Sequence, residues 1–196
     1  MPQLLIATSN SHKTAEIQSM LGPDWDVVDM RAYPELVLPE ETGDTFEANA
    51  VIKAEGASVA LPSLLVLSDD SGLEVDALGG LPGVKSARYA GEKATDADNR
   101  EKLKRELACL SAPFVGRFRC CMSVARGGKS VQTFSGAVEG RVVLQERGEG
   151  GFGYDALFVP DGFEQTFGEL PLETKNHLSH RARALAQVIA WLGEQA

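Results

Sequence analysis

Two aspartates, a serine and a glycine, Asp69-Asp70-Ser71-Gly72, stand one residue beyond the apolar run Leu64 to Leu67. In open α/β sheets ligands collect beyond the carboxyl ends of strands, so acids at such an end are candidates for metal and proton chemistry. With Glu41 they form a set of oxygen ligands suited to Mg²⁺, which keeps several waters and commonly joins one or two carboxylates to substrate phosphates. Successive strand residues face opposite ways, so Asp69 and Asp70 are expected to do different work. Asp70, beside Ser71, is the expected metal ligand and proton acceptor.

Cationic and amide chemistry comes from two other places. The strand-like Leu4 to Ala7 delivers the chain through Thr8-Ser9-Asn10-Ser11-His12-Lys13 into a helix, where hydroxyls, an ammonium and unpaired helix amides make a trap for a polyphosphate tail. Lys175, His180 and Arg181 surround the start of the last helix and favour an electron-rich ligand. Between them lies Gly150 to Phe158, GGFGYDALF, a flexible backbone with Phe152 and Tyr154 as stacking surfaces and Asp155 as an acceptor. Such a loop can hold a base. Two nucleotide fingerprints fail: Gly128-Lys129-Ser130 ends like a P-loop but has Ser123 where the first glycine belongs. Gly148, Gly150 and Gly153 match GxGxxG, yet the chain continues from Tyr154 to Val159 as a predicted strand, not a helix.

The elements that must carry these groups alternate early and turn to strands later. Leu4 to Ala7 is followed by a helix with Ile17, Met20 and Leu21 at helical spacing, and then by a strand at Val27 and Val28. A helix starts near Thr45, with Phe46, Ala50, Ile52, Lys53 and Ala57 inside it, and strand Leu64 to Leu67 follows. Asp96 to Leu110 reads as a helix with Leu103, Leu107 and Leu110 inward. Phe114 to Ala125, Val131 to Val138 and Gly140 to Leu144 read as strands, with Gly127-Gly128 as a turn. Leu185, Val188, Ile189 and Leu192 mark the last helix, with Ser179 as its N-cap. The pattern predicts a mixed sheet flanked by helices.

At 196 residues the chain suits a single domain over 1–196. Hydrophobic residues make up 43% and charged residues 24%, ordinary globular usage, and no run reaches the roughly 18 apolar residues of a membrane span. A net charge of −9 argues against a broad grip on nucleic acid or anionic lipid, so any phosphate ligand needs locally concentrated cations. The N-terminus lacks the basic start and long apolar run of an export signal. Cys109, Cys120 and Cys121 have no metal-ligand spacing and are expected to be buried thiols in a reducing cytosol.

Taken together, TSNSHK, EETGDTFEANA, SDDSGLEVDALGGLPGVKSARYAGE, GGFGYD and SHR, in this order over nearly the whole chain, resemble the Ham1/RdgB family of inosine triphosphate pyrophosphatases. The resemblance implies two lobes with a substrate cleft between them on an elongated mixed sheet, and a Mg²⁺-dependent cytosolic homodimer. It implies hydrolysis of ITP, dITP and XTP to the monophosphate and pyrophosphate, which keeps deaminated purines out of nucleic acid. By position, Thr8 to Lys13 (Thr8, Ser9, Asn10, Ser11, His12, Lys13) and Lys53 would meet the triphosphate. Glu41 and Asp70 would serve the metal, Asp70 would accept the proton and Ser71 would touch substrate. Phe152, Gly153, Tyr154, Asp155, Lys175, His180 and Arg181 would contact the nucleotide and its base. One departure is Ser9 to His12, where many relatives carry glycine beside the asparagine and before the lysine. Donors such as Arg181 or backbone amides, facing the C6 keto oxygen of hypoxanthine or xanthine, would reject the amino group of ATP by a factor of roughly 10⁴. The alternatives are a Maf-like pyrophosphatase of different base preference and a nucleotide sensor without chemistry.

Overall fold

The computed structural model describes residues 2–194. Among these, six strands form one sheet: β1 (Gln3–Ile6), β2 (Asp26–Asp29), β3 (Leu65–Val75), β4 (Phe114–Arg126), β5 (Lys129–Val142) and β6 (Phe158–Pro160), in the order β2-β1-β3-β4-β5-β6. The helices are α1 (Ser11–Leu21), α2 (Phe46–Ala60), α3 (Asp96–Leu107), α4 (Leu172–Leu178) and α5 (His180–Glu194). β1 is parallel to β2 and β3, with Leu5 opposite both Val28 and Val66, whereas β5 and β6 are antiparallel, with Arg141 opposite Val159. The sheet is therefore mixed, as the sequence predicts. No helix among the described residues is long and apolar enough to cross a membrane.

Two compact units divide the chain, neither of them continuous in sequence. One holds the chain up to Asp70, Cys120–Gly136 and the chain from Arg181 on; the other holds Ser71–Arg119 and Ala137–His180. In the first unit, β1 is buried on both faces by strict alternation. Leu4 and Ile6 join Ile17 of α1, Leu67, Cys120, Met122 and Val124, and Leu185, Val188 and Leu192 of α5, while Leu5 and Ala7 join Val66 and Ala57 of α2. The second unit closes around Leu73, Phe114, Phe118, Leu157, Phe158 and Phe167, with Leu103 and Leu107 from α3. Phe118 and Phe158 meet edge to face, their centroids 4.8 Å apart.

Several expectations need correction. β3 does not stop before Asp69 but continues to Val75: Asp69 is held by Lys13, Arg181 and the Cys120 thiol, Lys53 holds one oxygen of Asp70, and the Leu73 amide donates to Ser86 Oγ at 3.0 Å. Val131 to Val138 and the first residues of the segment Gly140 to Leu144 lie in one strand, β5, which ends at Val142, so Val143 and Leu144 fall outside it. Gly140 interrupts the apolar pattern only because a Cβ there would overlap the Val159 carbonyl oxygen of β6. After Tyr154 the chain makes a 3₁₀ turn, Asp155–Leu157, before the three-residue β6. α3 ends at Leu107, leaving Leu110 exposed, and Ile189 of α5 is also exposed. Cys109 is exposed, not buried. Ser179 directly precedes α5 but also closes α4, a helix that hydrophobic periodicity does not reveal.

Candidate active site

Strand alternation in β3 decides what each acid of the Asp69-Asp70 pair does. Asp69 shares the parity of Leu67 and points to the side of α1 and α5, where Lys13 ion-pairs with it, Arg181 Nε donates to Oδ2 at 3.0 Å and the Cys120 thiol donates to Oδ2 at 3.0 Å. Arg181 ion-pairs in turn with Glu16 of α1. Burial opposes ionisation of Asp69, but Arg181 and then Lys13 outweigh it and hold its pKa well below the usual 3.8. Burial and the neighbouring carboxylate push the Cys120 thiol well up, so it remains a donor. Asp69 thus belongs to a closed network of buried charges.

Asp70, on the opposite face with Ser68, points to α2. Ser68 Oγ donates to the Ala50 carbonyl at 2.5 Å, and Lys53, one turn further along α2 from Asn49, donates to Asp70 Oδ1 and to the Asp69 carbonyl, each at 2.9 Å. Lys53 also pairs with Glu41 at 2.8 Å. Burial works against the Lys53 ammonium, yet Asp70 and Glu41 outweigh it and raise its pKa. Asp70 moves the other way from Asp69: burial raises its pKa against the opposing pull of Lys53, and Glu41 adds to the rise. Its second oxygen, Oδ2, is buried without a hydrogen-bond partner. A buried acceptor left without a partner costs about 1–3 kcal/mol, a cost that a catalytic role or a bound ion or water accounts for.

The phosphate-trap segment lies in the same unit. Asn10 caps α1, its Oδ1 accepting from the His12 and Lys13 amides at 2.9 and 3.4 Å, and the Asn10 amide donates to Thr8 Oγ1 at 3.1 Å. Ser9, Ser11 and His12 are exposed beside it. Because α1 already begins at Ser11, positions 11 and 12 are helical and need no glycine, so His12 is accommodated without strain. Asn49 is a participant the sequence reading missed. Its Oδ1 accepts from the Gly43 amide at 2.8 Å and so anchors the loop that carries Glu41. EANA carries no periodic signal that would have singled it out.

In the second unit the glycine loop is cross-braced by Asp155. Asp155 Oδ2 accepts from the Phe152 amide and from Lys175 Nζ, both at 2.8 Å, and a Cβ on Gly151, at φ +76°, would collide with the same carboxylate. Lys175 Nζ also lies 5.1 Å from the Phe152 ring centroid. Tyr154 is buried, its hydroxyl donating to the Ser86 carbonyl at 2.8 Å, which makes it a pillar of the loop. His180 stacks on Phe118 at 4.9 Å. Ser71, next to Asp70 in β3, falls in this unit, as do Gly153, Lys175 and His180, whereas Arg181 falls in the first. The sequence neighbours His180 and Arg181 therefore serve different units.

No group of three or more His, Cys, Asp or Glu side chains among the described residues could hold a metal by itself. The fit for a divalent cation rests on Asp70. Its unpartnered Oδ2 and the half-buried Glu41 carboxylate are hard oxygen donors, in the number that Mg²⁺ takes from a protein when water and phosphate complete its shell.

Comparison with known proteins places this architecture. Residues 4–191 match the model of the Ham1 family. The chain is 45% identical to a dITP/XTP pyrophosphatase of Bacillus licheniformis, covering 99% of this chain and all of that protein, and 45% identical to one of Geobacter sulfurreducens, covering 100% and 98%. Among solved structures, a Ham1 protein of Coxiella burnetii superposes with a TM-score of 0.88 at 36% identity, over 99% of this chain and all of that one. The Staphylococcus aureus Ham1 protein gives 0.87 at 37%, with the same coverage.

Proposed function

The chain belongs to the Ham1 family, and from that premise we propose that it hydrolyses deaminated purine nucleoside triphosphates, dITP, ITP and XTP, to the monophosphate and pyrophosphate. The observation that carries the chemistry is Asp70, a buried carboxylate with one oxygen held by Lys53 and the other without a partner.

Water attacks the α-phosphorus, the α–β anhydride bond breaks, pyrophosphate leaves and the proton of the water passes to the Asp70 carboxylate. Lys53 keeps the Asp70 carboxylate oriented for that transfer. The triphosphate, with roughly four negative charges, is met by Lys13, Lys53, the Thr8 hydroxyl and the exposed Ser9, Ser11 and His12 at the start of α1. Asn10 fixes that turn by capping α1. Asp69, Arg181 and Glu16 hold Lys13 where its charge is needed. Glu41 and Asp70 would hold Mg²⁺, which when bound neutralises phosphate charge and polarises the phosphoryl oxygens. To the second unit's set, Phe152, Gly153, Tyr154, Asp155, Lys175 and His180 with Ser71, we assign the nucleoside: the Phe152 ring offers a stacking face, and loop amides offer donors to a C6 keto oxygen. The same membership supports a homodimer working in the cytosol.

The test is phosphate release from dITP, XTP, ITP, GTP and ATP with Mg²⁺, run with and without added inorganic pyrophosphatase. Signal from dITP, XTP and ITP that needs the coupling enzyme, with little from ATP, is the expected result. Orthophosphate appearing without the coupling enzyme would overturn it. Tight ITP binding with no turnover would make the protein a sensor.

A further inference from the structure

One face of α3 grips the glycine loop. Asp96, Arg100 and Lys104 recur every four residues and so lie in a row along the helix. Asp96 Oδ2 accepts from the Gly153 amide at 2.7 Å, and Arg100 Nη1 donates to the Gly153 carbonyl at 2.9 Å, so one helical turn holds both polar groups of a single residue's backbone. Arg100 Nε and Lys104 Nζ each donate to Glu146 at 2.9 Å, which ties down the chain leading into the loop.

Gly153 needs that hold. It sits at φ +60° between Phe152 and Tyr154, and nothing lies within 4 Å of where its Cβ would be, so packing does not set its conformation. Nor is Asp96 occupied in capping its own helix. Thr95 and Asp98 already form a reciprocal capping box at the start of α3. A left-handed glycine without side-chain contacts samples many backbone states unless hydrogen bonds select one, and a loop ordered in advance loses less entropy when it takes up a ligand.

We propose that Asp96 and Arg100 are positioning residues that lock the Gly153 peptide and thereby set the Phe152 ring for the purine base, an inference that rests on the assignment of the base to this loop. Their hydrogen bonds go to Gly153 and Glu146 of the same unit, so their removal should weaken nucleoside recognition and leave the phosphate chemistry intact.

The test compares wild type with Asp96→Ala, Arg100→Ala and Asp96→Asn, the last retaining an oxygen acceptor for the Gly153 amide. Three quantities are read: kcat and KM for pyrophosphate release from dITP, the inhibition constant of inorganic tripolyphosphate, which has no base, and amide exchange at Gly153. Loss of a charge-assisted hydrogen bond should raise KM about tenfold in the two alanine variants while kcat stays within about twofold. The tripolyphosphate constant should not move, the Gly153 amide should exchange faster in Asp96→Ala, and Asp96→Asn should restore KM. An unchanged KM, a fall in kcat alone, a parallel rise in the tripolyphosphate constant or an unaltered Gly153 exchange rate would each overturn the proposal. Absence of pyrophosphate release by wild type would instead sink the functional assignment, and the Gly153 exchange rate would then judge the α3 clamp by itself.

Discussion

Asp69 and Asp70 are chemically identical neighbours with opposite fates. Asp69 is held by two cations and the Cys120 thiol, while Asp70 keeps an unpartnered buried oxygen. Asp70→Asn should lower kcat for dITP hydrolysis by roughly 10²–10⁴ while nucleotide affinity and the unfolding midpoint are largely kept, because the amide oxygen can still accept from Lys53. Asp69→Asn should instead act on stability, costing about 3–5 kcal/mol at neutral pH by leaving Arg181 and Lys13 underpaired, as denaturant unfolding would measure. The pH dependence follows from sign. The folded-state pKa of Asp69 lies below its usual 3.8, so its stabilisation is complete above that value and fades as pH falls towards the folded-state pKa. The gap in unfolding free energy between wild type and Asp69→Asn should therefore be constant near neutrality and shrink below pH 3.8. That the pair divides its labour was legible from strand alternation alone. That Asp69 is the structural member was not, since its partners come from α1, β4 and α5.

Elements were legible where apolar period and caps agreed, and not where burial falls on polar atoms. α5 follows its periodicity at Leu185, Val188 and Leu192 but not at Ile189, and α2 buries Phe46, Ala50 and Ala57 while Ile52 is half-buried. α4 escaped because its buried residue is Lys175, enclosed by its ion pair with Asp155, while Leu172 at its start is 61% exposed. β5 reads in the sequence as two strands, Val131 to Val138 and Gly140 to Leu144, and a glycine inside a strand weakens it on propensity grounds. In the fold it is the only residue type that lets the Val159 carbonyl of β6 approach. Gly140→Ala should therefore destabilise by about 1–3 kcal/mol through overpacking, and amide exchange should quicken first across the β5–β6 pairing. A neutral effect on thermal unfolding would show that β6 can yield.

At the scale of the whole molecule, the first unit is assembled from three separated stretches of chain and closed by the last of them. α5 contributes Leu185, Val188 and Leu192 to the cluster around Leu4, Ile6 and Leu67, and burial of such side chains is worth about 2 kcal/mol each, a large share of a stability of about 5–15 kcal/mol. A chain ending at Ser179 also loses Arg181, so the β1 amides from Leu4 to Ile6 should exchange at unfolded rates; continued protection there would refute this dependence on α5. The sequence by itself determined the chemistry on offer: carboxylates after an apolar run, a helix start carrying hydroxyls, an asparagine and a lysine, and a glycine loop with aromatics. Each is a matter of residue type and spacing over a few positions, where the strand and helix periods already say which side chains share a face. Only the tertiary structure decided which charge holds which. Lys13 meets Asp69 across 56 residues and Arg181 meets it across 112, and the clamp of α3 on Gly153 spans 57. Pairings over such separations leave no local period, and form because burial makes an unpaired charge too costly to leave alone.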